Sequence, residues 1–352
     1  MGLRQDMPTE AIESWLREDR EDRLQALWRS ADAVRREHVG DAVHLRGLIE
    51  ISNVCVRSCA YCGLRAPNRD IDRYRMSEAE IMDCVAKAVE FGYGTVVMQA
   101  GEDPGIECEW LSRIISRIKS ETPLAVTLSL GERPMDDLRA WREAGADRYL
   151  LRFETSDRAL YDAIHPPLPG RVSDRIVMLR EIKALGYEAG SGVLIGLPGQ
   201  TYRSLAEDIA LFRELDLDMI GVGPYIPHPD TPLGQQVACQ SPVSWSVPPT
   251  EQMAYKVVAL ARIVRPDANI PSTTALATIN QVEGRELGLQ RGANVVMPNL
   301  TPPEYRMRYE IYPGKACVGE TAEQCRTCLR GRIESIGRTI GLGQGGRAKM
   351  AV

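Results

Sequence analysis

No stretch of this sequence approaches the roughly 18 consecutive apolar residues that a membrane-spanning helix needs, and the N-terminal residues hold no apolar segment of the signal-peptide kind. Charge of one sign is not gathered anywhere long: 43 basic and 48 acidic residues are interspersed, for a formal charge of -5. That balance speaks against a nucleic-acid or membrane-surface partner. With no export signal in view, the nine cysteines point to a reducing compartment and to metal ligation rather than a disulfide framework. A cytoplasmic protein is expected.

One further absence matters more. Cys55, Cys59 and Cys62, separated by three and then two residues, form a compact soft-ligand set just after a strand pattern. A closed zinc or ferredoxin-type site would need a fourth ligand close by. The chain offers none: Cys84 falls in a helical pattern, and the nearest downstream histidine, His165, is far along the chain. The residues alone leave structural zinc with a distant ligand, or incidental thiols, as alternatives. The favoured reading is an iron-sulfur cluster with one iron left open.

Length allows one large domain. Residues 9 to 38 read as two amphipathic helices, with Ile12, Trp15 and Leu16 on one stripe and Leu24, Leu27, Trp28, Ala31 and Val34 on the next. They are expected to cover the bottom or side of a barrel. From Val43 the pattern alternates through Leu45, Gly47, Ile49 and Ile51, and seven further strand patterns at 94–99, 124–130, 147–154, 187–196, 218–226, 269–273 and 293–298 alternate with helices. Eight such units predict an α/β fold, a (β/α)8 TIM barrel, over residues 43–298, preceded by a helical cover at 1–42 and followed by a C-terminal cap segment at 299–352. In such a barrel the loops after the strand C-termini form the active face.

The polar residues at those ends are the candidate site. Gly101, Glu102 and Asp103 follow strand 2, Ser129 ends strand 3, and Arg152 and Glu154 share a face at the end of strand 4. Arg175 or Arg171 offers a guanidinium for a carboxylate. Strand 5 is too glycine-rich for packing alone. Thr273 and Thr274 end strand 7 and Met297 ends strand 8, while His228 sits on a proline-rich loop and is more simply neither ligand nor base.

A second set, Cys317, Cys325 and Cys328, comes after the barrel and suits either zinc or an iron-sulfur cluster. Cys84, Cys108 and Cys239 are isolated and are assigned to packing or surface. Arg306, Arg308, Lys315 and the Gly/Arg-rich stretch 341–347 give the C-terminal segment a basic character, suited near the barrel mouth to an anionic substrate.

The spacing of the first triad, with Tyr61 before its last cysteine, resembles the radical S-adenosylmethionine (SAM) superfamily. The resemblance implies a 4Fe-4S cluster on Cys55, Cys59 and Cys62, SAM on its open iron, and reductive cleavage to a 5'-deoxyadenosyl radical. It also implies that Gly101, Glu102 and Asp103 hold the methionyl amino group, that Arg152, Glu154 and Arg175 attend the amino acid end, and that Ile195 packs on adenine. Cys62-Gly-Leu-Arg65, Gly101-Glu-Asp-Pro104, Leu150-Leu-Arg-Phe-Glu-Thr155, Gly196-Leu-Pro-Gly-Gln200 and Gly223-Pro-Tyr-Ile-Pro-His-Pro-Asp-Thr-Pro232 resemble more narrowly the HydE family of FeFe-hydrogenase maturases. That resemblance implies a cysteine-bound iron carbonyl-cyanide substrate and HydG and HydF type partners with a low-potential electron donor. It further implies a cavity lined by Thr273, Thr274, Met297 and Tyr305, and an auxiliary cluster at the C-terminal triad. Phe153 departs from the family's more usual His and is expected to face away. A mutase of the methylornithine synthase type and a non-catalytic iron-sulfur carrier are the alternatives. A biotin-synthase-like sulfur inserter would need a further cluster inside the barrel, for which no strand-end cysteine exists.

Overall fold

The computed structural model of the chain describes residues 3–239 and 247–347. Its centre is a parallel sheet in the order β1 (Ala42–Ser52), β2 (Thr95–Ala100), β3 (Ala125–Ser129), β4 (Arg148–Leu150) and β5 (Glu188–Ser191). The next pair, β6 (Leu194–Ile195) and β8 (Gly223–Pro224), continues beyond β5 and β7 (Met219–Ile220). β9 (Val295–Val296) returns to pair with β1, and single bridges from Met219 to Asn269 and from Pro271 to Val295 close the ring. The expected barrel is present, and its seventh position is reduced to two bridges around Pro271, which has no N–H to give a ladder.

Strands 5 and 6 were each expected to be continuous, and each is broken in two. At the breaks Gly192 and Gly221 approach so closely that a Cβ on Gly192 would overlap the Gly221 carbonyl. The glycine richness of that stretch thus serves backbone contact.

The expected helices lie between the strands. Ser77 caps Glu78–Glu90 in a reciprocal box with Glu80, and Thr201 caps Tyr202–Glu214 likewise with Ser204. Gly92 and Gly186 follow helix ends at φ 73° and 88°. Short helices Arg158–Ile164, Pro232–Cys239, Thr274–Ile279 and Pro303–Arg306, and a longer one at Ala322–Ser335, were not evident from pattern. The two N-terminal helices, Thr9–Leu16 and Glu21–Val39, bury Ile12, Trp15, Leu24, Leu27 and Trp28 against the outer helices Tyr202–Glu214 and Glu251–Val264. Among the described residues no helix is long and apolar enough to cross a membrane.

The Gly/Arg stretch lies at the end of the barrel opposite the mouth. β10 (Thr339–Ile340) pairs with the start of β1, and the Gln344 carbonyl accepts from Thr95 Oγ1 at 2.9 Å and Arg148 Nη2 at 3.0 Å. Arg347 reaches Asp218 at 2.8 Å and Asp267 at 2.6 Å, carboxylates at the strands' N-terminal side. Its charge is neutralised there, so it closes the bottom of the barrel and does not attract substrate at the mouth. Arg306 is likewise buried as a brace on the carbonyls of Asn299, Thr301, Cys317 and Glu320.

Candidate active site at the barrel mouth

β1 delivers the chain into the cysteine loop, and the loop is tied down on every side. Val56 N donates to the Glu102 carbonyl at 3.0 Å, Ala60 N to Ile164 O at 2.8 Å and Gly63 N to Ile311 O at 3.0 Å. Arg73 gathers the carbonyls of Asn53, Leu64, Arg65 and Asn68. Gly101 is required where it stands, since a Cβ there would overlap the Val54 carbonyl and lie 2.8 Å from the Cys55 Cβ. Cys55, Cys59 and Cys62 all face one cavity of about 340 Å3 at the mouth. Burial pushes all three thiols up, Cys59 to about 12, so without a positive centre they stay protonated.

Beside the loop runs a buried belt of charge drawn from the loops after β1, β2 and β3 and from the start of the helix Arg175–Ala184. Arg57, inside the cysteine loop, pairs with Glu102 at 2.6 Å and Glu132 at 2.7 Å, and Arg175 pairs with Glu132 at 2.9 Å. Burial raises Glu102 despite the Arg57 charge. His165 lies between this belt and the thiols, with Nδ1 3.0 Å from Cys59 Sγ and Nε2 3.0 Å from Arg175 Nη2. Burial pulls its pKa down to about 4.

Of the residues expected here, Tyr61, Glu102, Ser129, Arg152, Glu154, Arg175, Thr273, Thr274 and Met297 line the same cavity as the thiols. Arg171 is exposed, whereas Arg175 is buried at the wall. Arg175 already donates through Nε to Glu132, Nη1 to the Arg152 carbonyl and Nη2 to His165, leaving one N–H on each Nη for a ligand.

Four expected residues lie elsewhere. Asp103 is fully buried behind the loop, accepting from Ser52 Oγ at 2.7 Å, Arg75 Nε at 2.7 Å and Gly105 N at 2.9 Å. Gly101 packs under Val54, and Ile195 lies below the wall while its neighbour Leu194 lines it. Tyr305 stacks on Tyr74 with centroids 4.6 Å apart and donates to Glu80 at 2.7 Å. Phe153 faces away, packed on Phe212 at 5.9 Å. His228 accepts from Asp230 N at 3.1 Å and packs against Gly63.

Further residues complete the lining, and among them Lys315 was expected only as part of the basic C-terminal segment. Arg46 and Glu50 project inward from β1, and Tyr312 and Lys315 come from the C-terminal segment. Lys315 forms a buried ion pair with Glu50, which also accepts from Asn299 at 2.9 Å. Inward-facing charges on β1 were the available signal for Arg46 and Glu50, and the basic character of the C-terminal segment was the signal for Lys315.

The donor set fits an iron-sulfur cluster with a polar ligand. Three thiols face one space, and in the same walls Thr127 Oγ1, Arg152 Nε and Thr273 Oγ1 are buried with no hydrogen-bond partner among the described residues. Glu154 Oε2 meets Arg152 as an ion pair at 3.1 Å without a directed hydrogen bond. Among the described residues, no three His, Cys, Asp or Glu side chains are arranged to hold a single metal ion. A cubane meets its cysteines at separate corners, a wider arrangement.

Cys317, Cys325 and Cys328 line a second cavity of about 290 Å3 with Arg285 and Arg332, and Arg285 Nη2 lies 3.6 Å from Cys317 Sγ. Cys84 is buried, its thiol 3.3 Å from Leu300 O, and Cys108 opens the helix Cys108–Glu121; the Cys239 side chain lies outside the described residues.

A barrel whose mouth carries this cysteine loop is matched over residues 49–224 by the model of the radical SAM superfamily, and the chain belongs to that superfamily. Its cofactors are accordingly a 4Fe-4S cluster and SAM. Within it, the chain is 46% identical over 326 residues to the FeFe hydrogenase maturase subunit HydE of Thermotoga maritima, covering 93% of this chain and 90% of that one. It belongs to the HydE family. The 3-methylornithine synthase of Methanosarcina acetivorans is 29% identical, over 78% of this chain and 75% of its own. The crystal structure of a methylornithine synthase superposes with a TM-score of 0.80 at 23% identity, covering 95% and 94% of the two chains, a likeness of fold.

Proposed function

We propose that this chain acts as a HydE-type maturase: it cleaves SAM reductively and directs the radical at the sulfur of a cysteine-bound iron carbonyl-cyanide precursor of the FeFe-hydrogenase diiron centre. The observation that carries the reading is that the three thiols and the polar strand-end residues open on one cavity, in a chain 46% identical to HydE. The identity to the mutase is 29%, which favours the maturase.

When bound, a cluster at Cys55, Cys59 and Cys62 with SAM on its open iron supplies the electron that breaks the sulfonium and yields the 5'-deoxyadenosyl radical. The chain's own residues bind and orient. Arg152 and Glu154 are complementary donors and acceptors for a zwitterion, and Ser129 and the two spare Arg175 N–H groups extend that set. Thr273, Thr274 and Met297 line the substrate side, where Arg46 brings positive charge for an anionic complex while Lys315 is paired with Glu50. Partners of the HydG and HydF kind, a low-potential donor, a cytoplasmic site of action and an auxiliary cluster at Cys317, Cys325 and Cys328 belong to the same proposal. So does the division into a helical cover at 1–42, the barrel at 43–298 and the C-terminal segment at 299–352.

The test is anaerobic: reconstitute with iron and sulfide, reduce, add SAM and quantify 5'-deoxyadenosine by mass spectrometry. The wild type is expected to produce it and Cys59→Ala to produce none. A loaded wild type that neither binds nor cleaves SAM would sink the reading.

A further inference from the structure

His165 stands 106 positions from Cys59 in the chain, yet its Nδ1 is 3.0 Å from the Cys59 sulfur. The chemistry of its other side decides what passes between them. Nε2 is 3.0 Å from Nη2 of Arg175, and a guanidinium has only donors, so Nε2 must accept. A neutral imidazole that accepts at Nε2 carries its proton on Nδ1. The nitrogen facing the loop is therefore a donor to sulfur and has no lone pair with which to ligate a metal. Glu132 Oε1 lies farther off, 3.4 Å from Nε2, and already accepts from Ser173 Oγ at 2.6 Å and Arg175 Nε at 2.9 Å, one for each of its lone pairs, so the closer Arg175 Nη2 is the partner of Nε2.

The arrangement is built rather than incidental. His165 is fully buried, the Tyr161 ring lies 5.1 Å from its own, and the preceding carbonyl of Ile164 accepts from Ala60 N at 2.8 Å, locking the histidine's segment to the cysteine loop. Resting on the cluster reading proposed above, we infer that His165 is a positioning residue that donates an N–H bond to the Cys59 thiolate and raises the reduction potential of the cluster held there. The donor's partial positive charge stabilises the electron added on reduction, as hydrogen bonds to cluster sulfurs do in general. Arg175 then has two tasks, facing the cavity and fixing the tautomer that makes the donor.

The test is an EPR-monitored redox titration of reconstituted full-length protein without SAM, on wild type, His165→Phe and His165→Asn, with iron counted in each. Asn places an amide N–H near the position of Nδ1. At a fixed ambient potential His165→Phe is expected to show a reduced-to-oxidised cluster ratio about tenfold lower, a shift of about 59 mV to the negative for one electron, while His165→Asn recovers most of the difference. A His165→Phe protein with full iron and the wild-type potential would overturn the inference and leave the cluster reading standing. A wild type that binds no iron overturns both. Should neither variant load, 15N-histidine-labelled His228→Gln protein decides: a 15N hyperfine coupling in the reduced cluster's signal supports the bond, and its absence overturns it.

Discussion

Arg152 and Glu154 face each other as an ion pair at 3.1 Å, and Glu154 adopts φ 63°, the left-handed region that side chains other than glycine's avoid. Its backbone is pinned there by Glu154 N donating to the Gly192 carbonyl at 3.1 Å and Leu194 N to its own carbonyl at 3.2 Å. Such a conformation costs about 1 kcal/mol for a residue with a Cβ, and at a cavity wall that cost is consistent with a functional carboxylate. Glu154→Gly is accordingly expected to keep the wild-type melting temperature or raise it while weakening SAM binding at least tenfold, about 1.4 kcal/mol. Equilibrium binding and thermal melts on the same loaded sample check this, and a variant that melts lower with unchanged affinity contradicts it.

Glycines at two positions should respond in opposite ways to the same methyl group. Gly101→Ala drives a Cβ into the Val54 carbonyl and the Cys55 Cβ, so the loop must shift. Iron content after reconstitution is expected to fall severalfold. Gly331, inside the helix Ala322–Ser335, has nothing within 4 Å, and Ala there is expected to gain about 0.5–1 kcal/mol from helix propensity with iron unchanged. Equal iron in the two variants would show that the close approach at Gly101 does not position the loop.

Much of this fold was legible because its signals are local: alternation, helix caps and the cysteine spacing each need only neighbours in sequence. The shared face of Arg152 and Glu154 was anticipated from strand alternation, yet β4 ends at Leu150 and the left-handed turn at Glu154 puts them together. Asp103 was legible only as an acid beside the loop. Ser52, Arg75 and Gly105 turn it into a brace, and those partners come from other segments. His165 was set aside for its distance along the chain, although loops after strands 1 and 4 converge at a barrel mouth. The belt of Arg57, Glu102, Glu132 and Arg175 was hidden for the same reason.

The two cysteine cavities share only Lys315 among their lining residues, so the second triad should be separable from the first. In the combined variant Cys317→Ser, Cys325→Ser, Cys328→Ser, iron per chain is expected to fall while 5'-deoxyadenosine formation stays within roughly twofold, as changes at uncoupled sites do. Loss of cleavage in a variant that keeps its first cluster would show that the C-terminal set takes part in the chemistry.

Asp208 gives a pH dependence whose sign is set by burial. It lies fully buried beneath the turn after Glu154, where its Oδ1 accepts from Ser156 N and Ser156 Oγ, both at 2.6 Å. Burial outweighs those bonds and pushes its pKa up from 3.8 to about 7. Between these values the folded chain holds a proton that the unfolded chain has lost. The stability this confers is complete below about 4 and is lost as pH rises toward about 7, by roughly 4 kcal/mol at most. Asp208→Asn copies the protonated form and keeps an acceptor for Ser156. Its stability, relative to wild type, is expected to rise across that window and to level off above pH 7. Denaturant unfolding of both proteins at pH 5, 6, 7 and 8 measures the difference, and a difference that does not change with pH would mean that Asp208 is ionised in the fold.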